Sequence, residues 1–378
     1  MDVTGVKRRK AFLAIALAGL ALALIAAGCG GGGGSSEEST GEGGGEAGKV
    51  TNTTAEFPDL AALGPQGVKP ATKPVQIPIM IPGTQLLLQK AFVAGAEAAA
   101  EELNVKARVY DAGGFENVAA QVSQFENALA TKPDAIVGVP SSPEALNSQI
   151  EQAQGDGIPV LLSLIPPSVP VEYSIIDPLP ENGARSVEAV AELLGEEDNL
   201  YLIDGGAGGL PDSLFTEGVK KALKKFPKMK LVFESHQPGF DPAEAQKAVS
   251  DAFVKEPEVD AIITNQSNLA IAAYETLERE GVTPITTGYG PNAKEEIPAI
   301  REGKLSVAIA EPFYAMGRLT MEWAVAILAG EKPAEPVVPA PPLVLTEGNI
   351  DEAISSGALF ESINEEVLGC GPNQSEEC

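Results

Sequence analysis

The sequence predicts an α/β protein built from two similar doubly wound parallel-sheet lobes. Three observations predict it. From Val75 onward, short β-branched runs alternate with helical stretches, the pattern of βαβ units and a mostly parallel sheet. The alternation restarts after Asp177-Pro178. Letters from the first half also recur: Asp134-Ala135-Ile136-Val137 is echoed by Asp260-Ala261-Ile262-Ile263, and Gly157-Ile158-Pro159-Val160 by residues 281–285, each about 125 residues on. A chain of 378 residues is long enough for two buried cores.

Taken in order, residues 77–81 read as a strand and 86–103 as a helix with Phe92, Ala96, Ala99 and Leu103 on one side. Strand 105–110, helix 118–130, strand 135–139, helix 144–153 and strands 160–164 and 173–176 complete the first half. Pro78 is at odds with a central strand, because it lacks a ladder donor. The second half reads as helix 185–194, strand 199–203, helix 213–226, strand 231–233, helix 242–254, strand 261–264, helix 269–280 and strands 285–287 and 306–310. Trp323 falls in a further helix with Met321, Val325 and Leu328, where core packing is expected.

Both ends carry processing signals. Lys7-Arg8-Arg9-Lys10, an apolar run over 11–27 and Gly28-Cys29 have the parts of a secretory signal peptide, so residues 1–28 read as an address outside the cytoplasm. Residues 29–74, rich in Gly, Ser and Glu at their start, read as a flexible tether. Cys370 and Cys378 bracket a short loop within a tail over 366–378 and are placed to form a disulfide in an oxidising compartment.

Composition excludes several functions. A net charge of −27 repels nucleic acid, so no nucleic-acid partner is expected. With three cysteines and one histidine, His236, the chain shows no zinc, triad or P-loop motif; no metal, no cofactor and no enzymatic activity are expected. Residues 205–209 are glycine-rich but lack a Lys-Ser/Thr end, so they read as a tight turn. Six lysines lie between Lys220 and Lys230, and Val219, Ala222, Leu223 and Phe226 set the apolar side of the helix whose outer side they decorate.

In open parallel sheets, ligands bind beyond the carboxyl ends of the strands. The segments there hold Gln85, Asp111, Ser141, residues 204–209, Phe240, residues 265–268, Tyr289 and residues 311–314. Amides, hydroxyls, glycines and aromatics of this kind suit a polar, largely uncharged small molecule.

In its order of motifs the chain resembles the type I periplasmic binding proteins, closest to the ribose- and galactose-binding branch. The resemblance runs over about residues 75–345. It is carried by residues 92–99 with Gly95, the two Asp-Ala-Ile segments, Gly157-Ile158-Pro159-Val160, Thr216-Glu217-Gly218, Gly303-Lys304-Leu305, and Gly317 through Gly330-Glu331-Lys332. Ile25-Ala26-Ala27-Gly28-Cys29 resembles a bacterial lipobox, which implies a lipid anchor at Cys29.

The family resemblance implies a three-stranded hinge crossing near Asp177, Glu311 and residues 336–341. It implies an N-terminal lobe of 75–177 plus 312–336 and a C-terminal lobe of 178–311 plus 337–365. The implied function is solute capture for an ABC permease by a monomeric lipoprotein in the periplasm or cell-wall zone; the alternative is a sensory co-receptor of the same fold. The ligand set it implies is Gln85, Ser141, Phe215, Phe240, Gln266, Tyr289 and Glu311. The charged sugar clamps are replaced by Leu164 and Ile165, by Ser213 or Phe215, and by Gly290.

Overall fold

The computed structural model describes residues 57–195, 197–372, 374 and 378. The signal peptide, Cys29 and the glycine-rich start of the tether lie outside the described residues. No helix among the described residues is long and apolar enough to cross a membrane.

The first lobe is built from β1 (Val75–Ile81), α1 (Leu87–Glu102), β2 (Val105–Asp111), α2 (Val118–Ala130), β3 (Ile136–Gly138), α3 (Asn147–Gly155), β4 (Val160–Leu162) and β5 (Ser174–Ile176). Its sheet runs β2-β1-β3-β4, all parallel. The β1–β3 pairing begins at Ile79↔Val137, after Pro78, so the missing proline N–H falls at the margin of that ladder. Phe125 of α2 and Ile150 of α3 are fully buried against one face of the sheet, and Phe92 and Ala96 of α1 against the other.

The second lobe follows: α4 (Leu179–Leu194), β6 (Asn199–Gly205), α5 (Leu210–Leu223), β7 (Lys230–Gln237), α6 (Pro242–Lys255), β8 (Ala261–Ile263), α7 (Ser267–Glu278), β9 (Ile285–Tyr289), α8 (Ile297–Arg301) and β10 (Val307–Ala310). The chain then returns to the first lobe as α9 (Phe313–Leu328), crosses as β11 (Val337–Pro339) and ends the second sheet as β12 (Leu343–Leu345), antiparallel to β10. That sheet runs β12-β10-β9-β8-β6-β7. Helices α4 and α5 cover one face and α6 and α7 the other. The chain therefore passes between lobes at 177, at 311 and near 340, and β5 pairs with β11 at the hinge.

Each lobe carries a helix pair held backbone to backbone. A β-carbon on Gly95 of α1 would sit 1.9 Å from the Tyr314 carbonyl oxygen, and one on Gly317 of α9 would sit 2.0 Å from that of Phe92. In the second lobe Gly183 of α4 faces the Phe215 carbonyl and Gly218 of α5 faces that of Pro180, at 2.2 and 1.9 Å. Only glycine permits such approach.

Besides end shifts of up to four residues, as at α3, α5 and β7, three places differ from the sequence expectation. Helix α4 begins six residues before Arg185, because Pro180 occupies its first turn, where a missing N–H costs nothing. The distal tether is docked on the first lobe: Leu60 is buried, the Trp323 indole donates to the Leu63 carbonyl at 2.9 Å, and Asn104 holds the Ala71 carbonyl at 2.8 Å. The C-terminal stretch leaves the second lobe. Helix α10 (Ile350–Ser356) packs on α8, but α11 (Ala358–Ser362) packs on α9 and α12 (Glu365–Leu368) on α1. Cys370 and Cys378 are disulfide-bonded and buried in a core cluster that draws residues from both lobes.

The lysine-rich segment lies as its apolar spacing implies. Val219 and Ala222 are buried, while Lys220 pairs with Glu234 at 2.6 Å, Lys225 with Glu188 at 2.9 Å and Lys228 with Glu197.

Candidate functional site

The carboxyl ends of β9 and β10 and the crossing after β5 bring a set of buried acidic and phenolic groups to the hinge. Tyr289 ends β9, Glu311 follows β10, Asp177 follows β5, and Asn182 lies in the first turns of α4. The Asn182 amide donates to Asp177 Oδ1 at 3.1 Å and to Glu311 Oε1. Glu311 Oε2 and the Tyr289 hydroxyl are buried and have no hydrogen-bond partner among the described residues.

Burial pushes the Asp177 carboxyl up to about 7. Burial and the neighbouring Asp177 push Glu311 well above the usual carboxylate range, against the hydrogen bond from Asn182. Burial, with Asp177 and Glu311 close by, also raises the Tyr289 phenol. Glu311 and Tyr289 share a crevice with Leu88 and Phe313 of the first lobe, Gly290, Pro291 and Asn292. Its free volume, about 10 Å³, is room for about one water.

A second group gathers at the end of β6. Asp204 is fully buried, and burial pushes its carboxyl up to about 8. Its Oδ2 accepts from Thr216 Oγ1 at 3.1 Å, while Oδ1 has no partner. The next residue, Gly205, is held on both sides by the Asn265 amide, which accepts from its N–H and donates to its carbonyl, each at 2.9 Å. The Phe240 ring covers this turn: a β-carbon on Gly205 would meet it at 2.4 Å. That ring remains 40% exposed. Asp241 then caps α6 through Ala243 N at 2.9 Å, fixing the segment that carries the ring.

The first-lobe rim is organised by its own hydrogen bonds. Asp111 Oδ2 accepts from Thr84 Oγ1 at 2.6 Å and Oδ1 from Gly113 N at 2.7 Å. The Gln85 amide donates to the Gly113 carbonyl at 2.9 Å. Buried Gln121 accepts from both the N–H and the hydroxyl of Ser141, at 2.9 and 2.8 Å, and donates to the Val139 carbonyl at 2.8 Å.

Of the residues expected at the site, Tyr289 and Glu311 come together in one crevice. Gln266 reaches it through Asn292, whose amide donates to Gln266 Oε1 at 2.9 Å. Phe215 lies behind Tyr289 as a fully buried ring, edge-on at 5.6 Å between centroids. Phe240 belongs to the β6 group, and Gln85 and Ser141 to the opposite rim. Sequence reasoning missed Asn182 and Asn292; one lies two residues after Pro180 and the other directly after Pro291, where an amide reads as a turn residue.

A family model for the periplasmic binding protein domain matches residues 79–332. The chain belongs to the periplasmic binding protein family. Members of this family are extracytoplasmic solute-binding proteins rather than enzymes, and the two hinged sheets are of its ribose-binding kind. A xylitol-binding protein of Mycolicibacterium smegmatis is 22% identical over 240 residues, 63% of this chain and 68% of that protein. The ribose import binding protein of Bacillus subtilis is 22% identical over 240 residues, 63% of this chain and 76% of that protein. Among solved structures, a periplasmic ribose ABC transporter protein of Conexibacter woesei superposes with TM-score 0.70 at 20% identity, covering 79% of this chain and 100% of that one. A Bradyrhizobium ABC transporter solute-binding protein with bound bis-tris reaches 0.68 at 22% identity, covering 75% and 86%.

Proposed function

We propose that this protein is a lipid-anchored capture subunit of an ABC-type importer, which takes a small sugar-like or other neutral polar solute between its lobes and delivers it to a permease. The observation that carries the reading is the row of buried oxygens left without partners at the strand ends, on Asp204, Tyr289 and Glu311. Buried polar groups are normally satisfied, and hydroxyls of a polyol can donate to carboxylate oxygens and accept from a phenol. The exposed face of Phe240 adds an apolar surface for a ring carbon face. Relatives named for xylitol, ribose and xylose, and similar structures holding D-allose and D-arabinose, bind molecules of this class. Cys29 supplies the anchor in this reading, at the end of a lipobox-like segment.

Thermal unfolding against a panel of sugars, polyols, nucleosides and amides tests the proposal. A solute at 100 times its dissociation constant adds about 2.7 kcal/mol to the native state. That raises the midpoint by several degrees, at about 2–4 °C per kcal/mol. A shift with a sugar or polyol is the expected outcome. Shifts confined to another chemical class would sink the sugar-like reading.

A further inference from the structure

The lone histidine and Asp212, neither of which the solute reading uses, form a cluster with Asp204, whose free oxygen a metal would claim in place of the solute. Asp204 ends β6, Asp212 lies in the first turn of α5, and His236 is near the end of β7. One donor atom from each lies within 4.8 Å of the other two. Both aspartates are buried, at 0% and 6% exposure, and the histidine is partly buried.

The surroundings of these groups resemble an outer coordination shell. His236 Nδ1 faces Asp212 Oδ1 at 2.8 Å, while its Nε2 contacts Glu234 Oε1 at 2.8 Å. Glu234 is itself held by Lys220 at 2.6 Å. A metal-bound imidazole turns its other ring nitrogen to a carboxylate in this manner, which fixes tautomer and ring plane. Asp204 Oδ2 is held by Thr216, and Asp204 Oδ1 is buried without a partner. Two buried carboxylates side by side are costly, and His236 contacts only one of them. A dication between them would satisfy the free oxygen and replace the proton shared by His236 and Asp212.

We propose that Asp204, Asp212 and His236 form a binding site for a divalent transition-metal ion of the Zn²⁺ class. One imidazole and two carboxylates form a mixed N/O set, suited to Zn²⁺ and disfavouring Mg²⁺ and Ca²⁺, which take oxygen ligands. Ligand atoms around tetrahedral Zn²⁺ stand about 3.5 Å apart, so the three donors need adjust by only about 1 Å. Three protein ligands leave a fourth position open. Asp204 adjoins the Gly205 turn under Phe240, so that position is at the carboxyl end of the second sheet. Little in the sequence hints at this: Asp204 and His236 come side by side only through the β6–β7 pairing, and Asp212 reaches His236 from α5 across 24 residues.

Calorimetric titration of Zn²⁺, with Mg²⁺ as control, into the untagged, chelator-treated protein tests the site. One equivalent of Zn²⁺ is expected to bind, and Mg²⁺ is not. His236→Gln, at a partly exposed position, should fold as the parent by circular dichroism and lose more than about 100-fold in Zn²⁺ affinity. Glu234→Gln should lose about 10-fold, as outer-shell changes do. Zn²⁺ binding that survives His236→Gln, or no saturable Zn²⁺ binding by the parent, would overturn the proposal.

Discussion

The two lobes share a scaffold and differ at the rim of the cleft. Each clamps a helix pair through two glycines, Gly95 with Gly317 and Gly183 with Gly218. At the first rim, Asp111 is engaged by Thr84 and Gly113, and Gln121 by Ser141 and Val139. At the second rim and the hinge, Asp204, Tyr289 and Glu311 keep buried oxygens without partners. Local hydrogen bonds that are complete hold a loop in shape before any ligand arrives, whereas incomplete ones leave binding energy for the ligand to supply. The Asp111 and Gln121 loops of the first rim are thus preformed, although Gln89 and Gln124 of that lobe each keep a buried amide oxygen without a partner; the second rim and hinge leave acidic and phenolic oxygens for a solute's polar groups to engage.

Substitutions can break this comparison at several levels. The largest effect is expected in the shared scaffold. Gly317→Ala drives a methyl group into the Phe92 carbonyl and should cost about 1–3 kcal/mol or more in denaturant unfolding. Gly155→Ala, at the open end of α3 with nothing within 4 Å, should instead stabilise by about 0.4–1 kcal/mol. Equal losses at both positions would show that helix approach is not the cause.

At the rims, Glu311→Ala should weaken solute binding by about 10–100-fold in calorimetry, because it strands both the buried Asn182 amide and the solute group that Glu311 would hold. Gln121→Ala should leave affinity within a few-fold yet cost about 1–3 kcal/mol of stability, since it strands the buried Ser141 amide. If the two variants exchanged these effects, the division between a preformed and a receptive rim would be lost.

Hinge acidity sharpens the contrast further. Because folding raises the Asp177 and Glu311 pKa values, the folded chain holds protons that the unfolded chain has released above about pH 4. Their contribution to stability is therefore fullest at low pH. It is lost as pH rises through the folded values, from about 4 toward about 7 for Asp177 and further for Glu311. The thermal midpoint should fall between pH 5 and pH 8, and Asp177→Asn should flatten that slope; an unchanged slope would remove the hinge pair as its source. Phe240→Ala should cost about 10-fold in solute affinity with folding intact, because the ring already lies partly in water.

The alternation of strands and helices was legible because period and β-branching are local properties, and the internal echo made the two lobes visible as a repeat. Helix α2 falls at the expected residues, and β1, β2 and β6 within two. Proline obscured the start of α4, since Pro178 and Pro180 read as breakers although a first turn tolerates them. The docked segment around Leu60 and the short tail helices were illegible for a different reason: a few apolar residues in a polar stretch acquire meaning only beside Trp323 or α1. The same holds at the site. Tyr289 and Glu311 could be singled out because they follow strands, but Asn182 meets Glu311 across 129 residues of sequence. Nothing local in either segment announces that pairing.

The C-terminal tail gives the molecule a mechanical property that its three hinge strands lack. After β12 the chain rests on the second lobe through α10 and then on the first through α11 and α12, and the buried Cys370–Cys378 disulfide joins a cluster with residues from both. Rotation about β5 and β11 that parts the lobes must stretch the run from Leu345 to Ala358 or peel α11 from α9. Wide opening and a seated tail are competing states, so the angular travel of the jaws is limited by how firmly α11 and α12 hold the first lobe.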